Sequence, residues 1–351
     1  MYKKIDFFED EEIDAVLLNA QENIRYFTGI DFEGTVLITT CKKFIFTDSR
    51  YIEDVAKEVS EFSVIDCTTE GKYKAAKLKI LNESFKRIGI DADSLFYSDY
   101  LKIFSDKLIV AVDVSKRLNE IRMIKEEFEI ENMKTAQKIS EDALKTVLPY
   151  IKEGELECNI VNEIEYKIKK FGAEKISFDT IVISGTRTSL PHGKPTHKKF
   201  KKGDFVTIDF GSVYKGYCSD MTRTFVIGKA NKKQKKIYEC VKNSQETAIN
   251  CVTDGVLCKN VDETARSVMS KYEFEKYFRH SLGHGVGLLV HELPFVSSHS
   301  KMLLRKNMIV TIEPGVYIPD FGGVRIEDMI LVTSSGFQNL NKFTKELIEI
   351  S

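Results

Sequence analysis

Net charge, paired cysteines and histidine are all scarce in this chain of 351 residues. Its 52 basic side chains stand against 53 acidic ones, a net charge of -1, so no global field draws it to nucleic acid or to an anionic membrane. The lysine-rich stretches "HKKFKKG" (197–203) and "NKKQKK" (231–236) each abut an expected element and read as solvated surface. The seven cysteines (41, 67, 158, 218, 240, 251 and 258) are odd in number and never spaced C-x-x-C. That spacing excludes a disulfide frame or a zinc knuckle and implies reduced thiols. No window approaches the length of a membrane span. The first residues, "MYKKIDFFEDEEIDAV", carry acids where a secretory leader needs an apolar run, so a cytoplasmic protein is expected. Of six histidines none falls within residues 1–115, whereas three fall within 280–292.

The length exceeds what one compact core usually supports, and two domains are expected, 1–117 and 118–351. In the first, short β-type runs ("AVLLN" 15–19, "GTVLITT" 34–40, "KFIFTD" 43–48, "RIGID" 87–91, "LIVAVD" 108–113) alternate with helical stretches such as 72–86, an α/β pattern. In the second, Ile121, Ile124, Phe128, Ala136, Ile139, Ala143 and Val147 recur at helical spacing, and Gly154 ends the pattern. This domain then echoes itself. Helices over about 119–151 and 155–171 precede "VTIDFG" (206–211) and "GYCSDMTRTFVIG" (216–228). Helices over about 231–254 and 260–272 precede "MIVTIEPG" (308–315) and "GGVRIEDMILV" (322–332). The expected fold class is α/β (α+β), with two related halves about a pseudo-twofold axis and a site between them.

In "VTIDFG" the side-chain period of two puts Val206, Ile208 and Phe210 on one face and Thr207 and Asp209 on the other. By the same rule Cys218, Asp220, Thr222 and Thr224 share a face, Thr311 goes with Glu313, and Arg325 with Glu327. Each half offers two inward acids on neighbouring strands, eleven residues apart in one (209 to 220) and fourteen in the other (313 to 327). Four converging carboxylates repel, and burying even one ionised carboxylate is costly without compensation. A cation is required among them. The neighbouring "HSLGHGVGLLVHE" (280–292) adds imidazoles, with glycines 283, 285 and 287 where backbone must approach a ligand or cluster closely. An oxygen-rich set with one imidazole suits a divalent ion such as Mn²⁺, Co²⁺ or Fe²⁺, and four carboxylates carry enough charge for two.

Six stretches together resemble a known family: "NIRYFTG" (23–29), "SFDTIVISGTRTSLPHG" (177–193), "DFGSVYKGYCSDMTRT" (209–224), "HSLGHGVGLLVHE", "TIEPGVY" (311–317) and "GGVRIED" (322–328). The chain resembles, over nearly its whole length, the pita-bread metallopeptidases, in particular the Xaa-Pro branch that contains aminopeptidase P and prolidase. The resemblance implies a creatinase-like amino-terminal α/β domain followed by a pita-bread catalytic domain. It implies that Asp209 and Asp220 bind one ion, that Asp220 and Glu327 bridge to the other, and that His284 and Glu313 complete the set. Glu313 would also shuttle a proton; His192 and His291 match the family's non-ligand catalytic histidines, and His280 a further pocket histidine. Phe178 and Ile181 match its apolar substrate lining. The implied reaction is attack of a metal-bridging hydroxide on the Xaa-Pro carbonyl, with Mn²⁺ the first choice of metal and Co²⁺ or Zn²⁺ the alternatives. A homodimer acting on peptides with proline second, without nucleic acid or membrane, completes the expectation.

Blander readings compete at several positions. A lone Asp in a strand more often pairs with a buried Arg or Lys than with a metal; four acids in duplicated frames beside a histidine cluster reverse that weighting. For His280, core and functional roles weigh equally, and His197 and His299 are assigned nothing. Arg325 would neutralise Asp328 or a neighbouring acid, or steady Glu327 and the substrate side of the pocket. Prolidases commonly carry an arginine after the "VHE" segment to pair with the dipeptide carboxylate, whereas "HELPFVSS" (291–298) has Phe295 there. The missing bidentate anchor favours an aminopeptidase on longer Xaa-Pro peptides, with the dipeptidase as the alternative. A methionine aminopeptidase would not need residues 1–115, and a non-enzymatic peptide-binding relative would have lost ligands.

Overall fold

The computed structural model describes residues 5–105 and 107–351, and the chain divides into two compact units between Arg122 and Met123. The described residues of the first unit build six strands in the order Ser63–Asp66, Lys43–Thr47, Gly34–Thr39, Ala15–Leu18, Arg87–Ile90 and Val110–Asp113. Ala15–Leu18 runs antiparallel to Gly34–Thr39 and parallel to Arg87–Ile90. All four of its residues are buried, the unbroken apolar run expected of a strand covered on both faces. Ser63–Asp66 was not foreseen; it is a half-exposed edge strand whose short "SVID" carries little apolar signal. "NIRYFTG" closes the helix Gln21–Thr28 on Gly29 at φ 83°, where glycine meets no Cβ penalty.

The one helix expected over 119–151 is two, Ser115–Met123 and Glu127–Val147. Glu129 reaches back to accept the Glu126 N–H at 2.8 Å, a capping interaction that starts a new helix within an apolar period that reads as continuous. The units divide near the end of the first of these helices, beyond 117/118. Asn231 and Gln234 cap the helix Lys232–Asn250 in the same reciprocal way, each side chain accepting from the other's backbone N–H at 2.9 Å. Among the described residues all seven cysteines are unpaired and no helix is long and apolar enough to cross a membrane.

In the second unit Ile181–Ser184, Phe205–Phe210 and Met221–Ile227 lie side by side and antiparallel, with Glu349–Ile350 parallel at the edge. The arrangement recurs. Gly283–Gly285, Ile309–Ile312 and Asp328–Thr333 are antiparallel neighbours, flanked by Glu292–Val296 and Gly336–Asn339. Val206, Ile208 and Phe210 are fully buried against Ile160, Ile164 and Ile168 of the helix Glu157–Lys170. Each such side chain contributes about 1.5–3 kcal/mol. Val310 and Ile312 pack likewise with Ile237 and Val241 of Lys232–Asn250. With the apolar faces spent on the helices, the acid-bearing alternate positions turn the other way.

Strand register shows how far the echo extends. With Val206 set against Val310, Val206 pairs with Phe225 and Val310 with Ile330; counting back, Thr222 corresponds to Glu327, Arg223 to Asp328, and Asp220 to Arg325. The second acids of the two halves therefore do not share a frame: Glu327 stands one pleat further along than Asp220. Corresponding residues instead meet each other. Thr222 Oγ1 donates to Glu327 Oε2 at 2.7 Å, and the buried Arg223 pairs with the buried Asp328 at 2.7 Å, as positions beside a twofold axis must.

Candidate metal centre

Asp209 is the last residue but one of the strand Phe205–Phe210, and Asp220 immediately precedes Met221–Ile227. Glu313 follows Ile309–Ile312, Glu327 precedes Asp328–Thr333, and His284 is the middle residue of Gly283–Gly285. Three of these, Asp220, His284 and Glu327, are buried and offer ligand atoms that all lie within 4.8 Å of one another. His284 Nε2 stands 3.3 Å from Glu313 Oε1 and 3.7 Å from Asp220 Oδ2. Its Nδ1 lies 3.1 Å from the Gly285 carbonyl, which can only accept, so Nδ1 carries a proton and Nε2 is the atom turned to the acids. Without a cation the Glu313 carboxylate favours a proton there too and raises the His284 pKa against burial, and a metal ion would take that proton's place. All eleven side chains singled out in the sequence line one cavity of about 280 Å³, and Phe295 joins them, 49% exposed.

Neighbouring hydroxyls orient the acids. Thr311 Oγ1 accepts the His284 backbone N–H at 3.1 Å and donates to Glu313 Oε1 at 3.3 Å. Thr222 Oγ1, besides donating to Glu327, accepts Arg325 Nε at 3.1 Å. Arg325 does not pair with Asp328, which Arg223 takes; its NH2 group donates to Asp209 Oδ2 at 2.6 Å and its NH1 group to the Tyr317 hydroxyl at 2.8 Å and the Pro191 carbonyl at 3.3 Å. Tyr317 in turn donates to His280 Nε2 at 3.0 Å, since His280 Nδ1 is held 2.8 Å from the Ser281 carbonyl. His291 stacks edge-on to His284 with ring centroids 4.3 Å apart, and His192 is exposed at the cavity.

The charges do not balance within the protein. Burial, then repulsion from Glu327, Asp209 and Glu313, pushes the Asp220 carboxyl well above the usual range, and burial with Glu313 and Asp209 does the same to Glu327. Burial opposes ionisation of Glu313 too, but the hydrogen bond and charge of His284 hold it below the usual range. Burial lowers both His280 and His291. Arg325 answers one oxygen of Asp209, the bland reading of a strand Asp in part. Asp209 Oδ1 and Asp220 Oδ1 remain buried with no hydrogen-bond partner among the described residues. Buried acceptors without donors, in an oxygen-rich set with one imidazole, fit a divalent cation.

The glycines serve a purpose other than ligand approach. A Cβ at Gly283 would lie 1.9 Å from the Thr311 carbonyl oxygen, and one at Gly285 2.2 Å from that of Leu293. Close strand packing, not a ligand, requires glycine there. Sequence reasoning passed over Tyr317, Thr222 and Thr311, although strand alternation already set both threonines beside the acids.

The profile of metallopeptidase family M24 matches residues 131–334, and that of the creatinase/prolidase N-terminal domain matches residues 2–124. The chain belongs to metallopeptidase family M24. This M24 peptidase is 39% identical over 350 residues to a Xaa-Pro dipeptidase of Pyrococcus horikoshii, covering 99% of this chain and 97% of the relative. Among solved structures it resembles a Xaa-Pro dipeptidase from Bacillus anthracis (TM-score 0.95, 36% identity, 98% and 97% of the two chains) and an X-Pro aminopeptidase from Thermotoga maritima MSB8 (TM-score 0.91, 33% identity, 97% and 99%). The pita-bread fold with its internal duplication, the creatinase-type first domain and the standing of this M24 peptidase as an enzyme follow from these matches.

Proposed function

We propose that the chain is an Xaa-Pro dipeptidase that holds two divalent ions, Mn²⁺ by first choice and Co²⁺ or Zn²⁺ as alternatives, on Asp209, Asp220, His284, Glu313 and Glu327. The observation that carries this reading is the convergence of the five side chains on one cavity of about 280 Å³, at or below the about 300–1,000 Å³ of ordinary small-molecule sites. A compact dipeptide suits that space. The Pyrococcus relative that matches end to end carries the dipeptidase name, which outweighs the lean toward an aminopeptidase drawn from Phe295.

When bound, divalent ions polarise a carbonyl and acidify water. Glu313 accepts the proton of the attacking water, its carboxylate oriented by Thr311. Arg325 fixes Asp209 through one oxygen and leaves the other for metal. His291 and His192 stabilise the developing oxyanion or protonate the prolyl nitrogen, which belongs to a tertiary amide and must gain a proton to leave. Phe178 and Ile181 offer apolar surface to the substrate, and His280 is steadied by Tyr317.

Phe295 in place of an anchoring arginine, together with the likeness to the Thermotoga enzyme, supports the second reading, an Xaa-Pro aminopeptidase. Rates on Xaa-Pro against Xaa-Pro-Yaa peptides, after metal removal and single-metal addition, separate the two. Dipeptides are expected to be the better substrates, and a clear preference for tripeptides would replace this reading with the second.

A further inference from the structure

Glu157 has no part in the chemistry above, yet its side chain is fully buried and collects donors from both ends of one loop. Glu157 Oε1 accepts from the Ser184 N–H and Oγ, both at 2.8 Å. Its Oε2 accepts from the Thr196 N–H at 3.0 Å and Oγ1 at 2.9 Å, and pairs with Arg187. Ser184 ends the strand Ile181–Ser184, and Thr196 lies twelve residues on (196 − 184). The loop between them begins with the single turn Gly185–Ser189 and carries Pro191 and His192. Arg187 also donates to Thr196 Oγ1 at 3.2 Å and to the Lys194 carbonyl, drawing the two arms together. On the cavity side the Gly323 N–H donates to Thr188 Oγ1 at 2.8 Å, and Arg325 donates to the Pro191 carbonyl. Helix start alone would favour an acid at Glu157; it does not account for donors arriving from both arms of a loop.

We infer that Glu157 is a positioning residue: it clamps residues 184–196 into a closed loop and so sets where His192 stands at the metal-site cavity. The inference rests on the role given to His192 above. An ionised acceptor with several converging donors is a strong and directional anchor, and an error of about 1 Å in a reacting group can cost about a hundredfold in rate.

Wild type, E157Q, H192A and the double variant decide it, each assayed for Xaa-Pro hydrolysis at saturating metal and digested with trypsin under native conditions. Glutamine keeps the shape but presents an amide donor where Arg187 and Thr196 need an acceptor. E157Q is expected to lower kcat/KM by about tenfold or more, with under about twofold further loss once H192A is present, and to speed cleavage after Arg187. Equal loss in both backgrounds, or unchanged cleavage, overturns the inference. An H192A enzyme with wild-type kcat/KM would instead remove the role of His192, while faster cleavage of E157Q would still support the clamp. Should E157Q not fold, Thr196→Val releases one strap, the hydroxyl on Glu157 Oε2, keeps Arg187 as the cleavage site, and is read by the same two measurements.

Discussion

The two halves of the catalytic unit share one strand plan and put different chemistry on it. In the first, the strand pair 205–210 and 221–227 supplies two aspartates, one of them bound by Arg325. In the second, 309–312 and 328–333 supply two glutamates, and His284 arrives on the adjoining strand. Strand register makes Thr222 the counterpart of Glu327 and Arg223 the counterpart of Asp328. Each pair of counterparts meets, as a hydrogen-bonded pair in one case and a buried ion pair in the other. Different residues at corresponding sites make one asymmetric pocket of two similar faces.

The comparison breaks most visibly at Glu327. Replacing it with Gln should lower kcat/KM and bound metal by more than the about 10–100-fold that loss of an outer-sphere partner costs; equal activity and metal content would remove it from the ligand set. At the neighbouring pair, Arg223→Ala leaves the buried Asp328 with only Lys345 at 3.5 Å and the Asn339 amide at 2.8 Å, and frees the Thr222, Glu327 and Phe343 carbonyls that Arg223 serves. It should destabilise the protein by about 3–5 kcal/mol in urea unfolding. A shift within the error of that measurement would mean that the paired positions carry no structural weight. Thr222→Val, the counterpart of the Glu327 change, removes only the hydroxyl. It should lower metal affinity within the about 10–100-fold range and stability by about 1–3 kcal/mol, checked by metal titration and denaturation.

The smallest effect lies at the sheet edge, where the hydrogen bond from Lys229 and the Ala230 N–H hold the half-buried Glu349 carboxyl down to about 2. A depressed carboxyl stabilises the fold above its ordinary value of 4.5 and loses that contribution as pH falls toward about 2. The Tm gap between wild type and Glu349→Gln should therefore be small at neutral pH and close over that acid range. A gap that widened on acidification would reverse the assignment.

The acids were legible because strand alternation is local: once Val206, Ile208 and Phe210 face a core, Asp209 must face elsewhere. The glycines were misread for the same reason in reverse, since only the neighbouring strand reveals that Thr311 leaves no room for a Cβ at Gly283. The break between Met123 and Glu127 was hidden because a capping interaction costs the apolar period nothing. Arg325 was seen, but its partner was open until the fold chose Asp209 over Asp328.

By itself the sequence determined which residues carry charge, which faces bury, and that four acids with a histidine cluster require a cation, because these follow from residue type and a period of two. Tertiary structure alone decided which residues of the two halves correspond, that Arg325 caps Asp209 while Arg223 takes Asp328, and that Glu157 holds both arms of the His192 loop. Those are contacts between positions up to a hundred or so residues apart, and chain entropy leaves them undefined until the strands pair and fix the register.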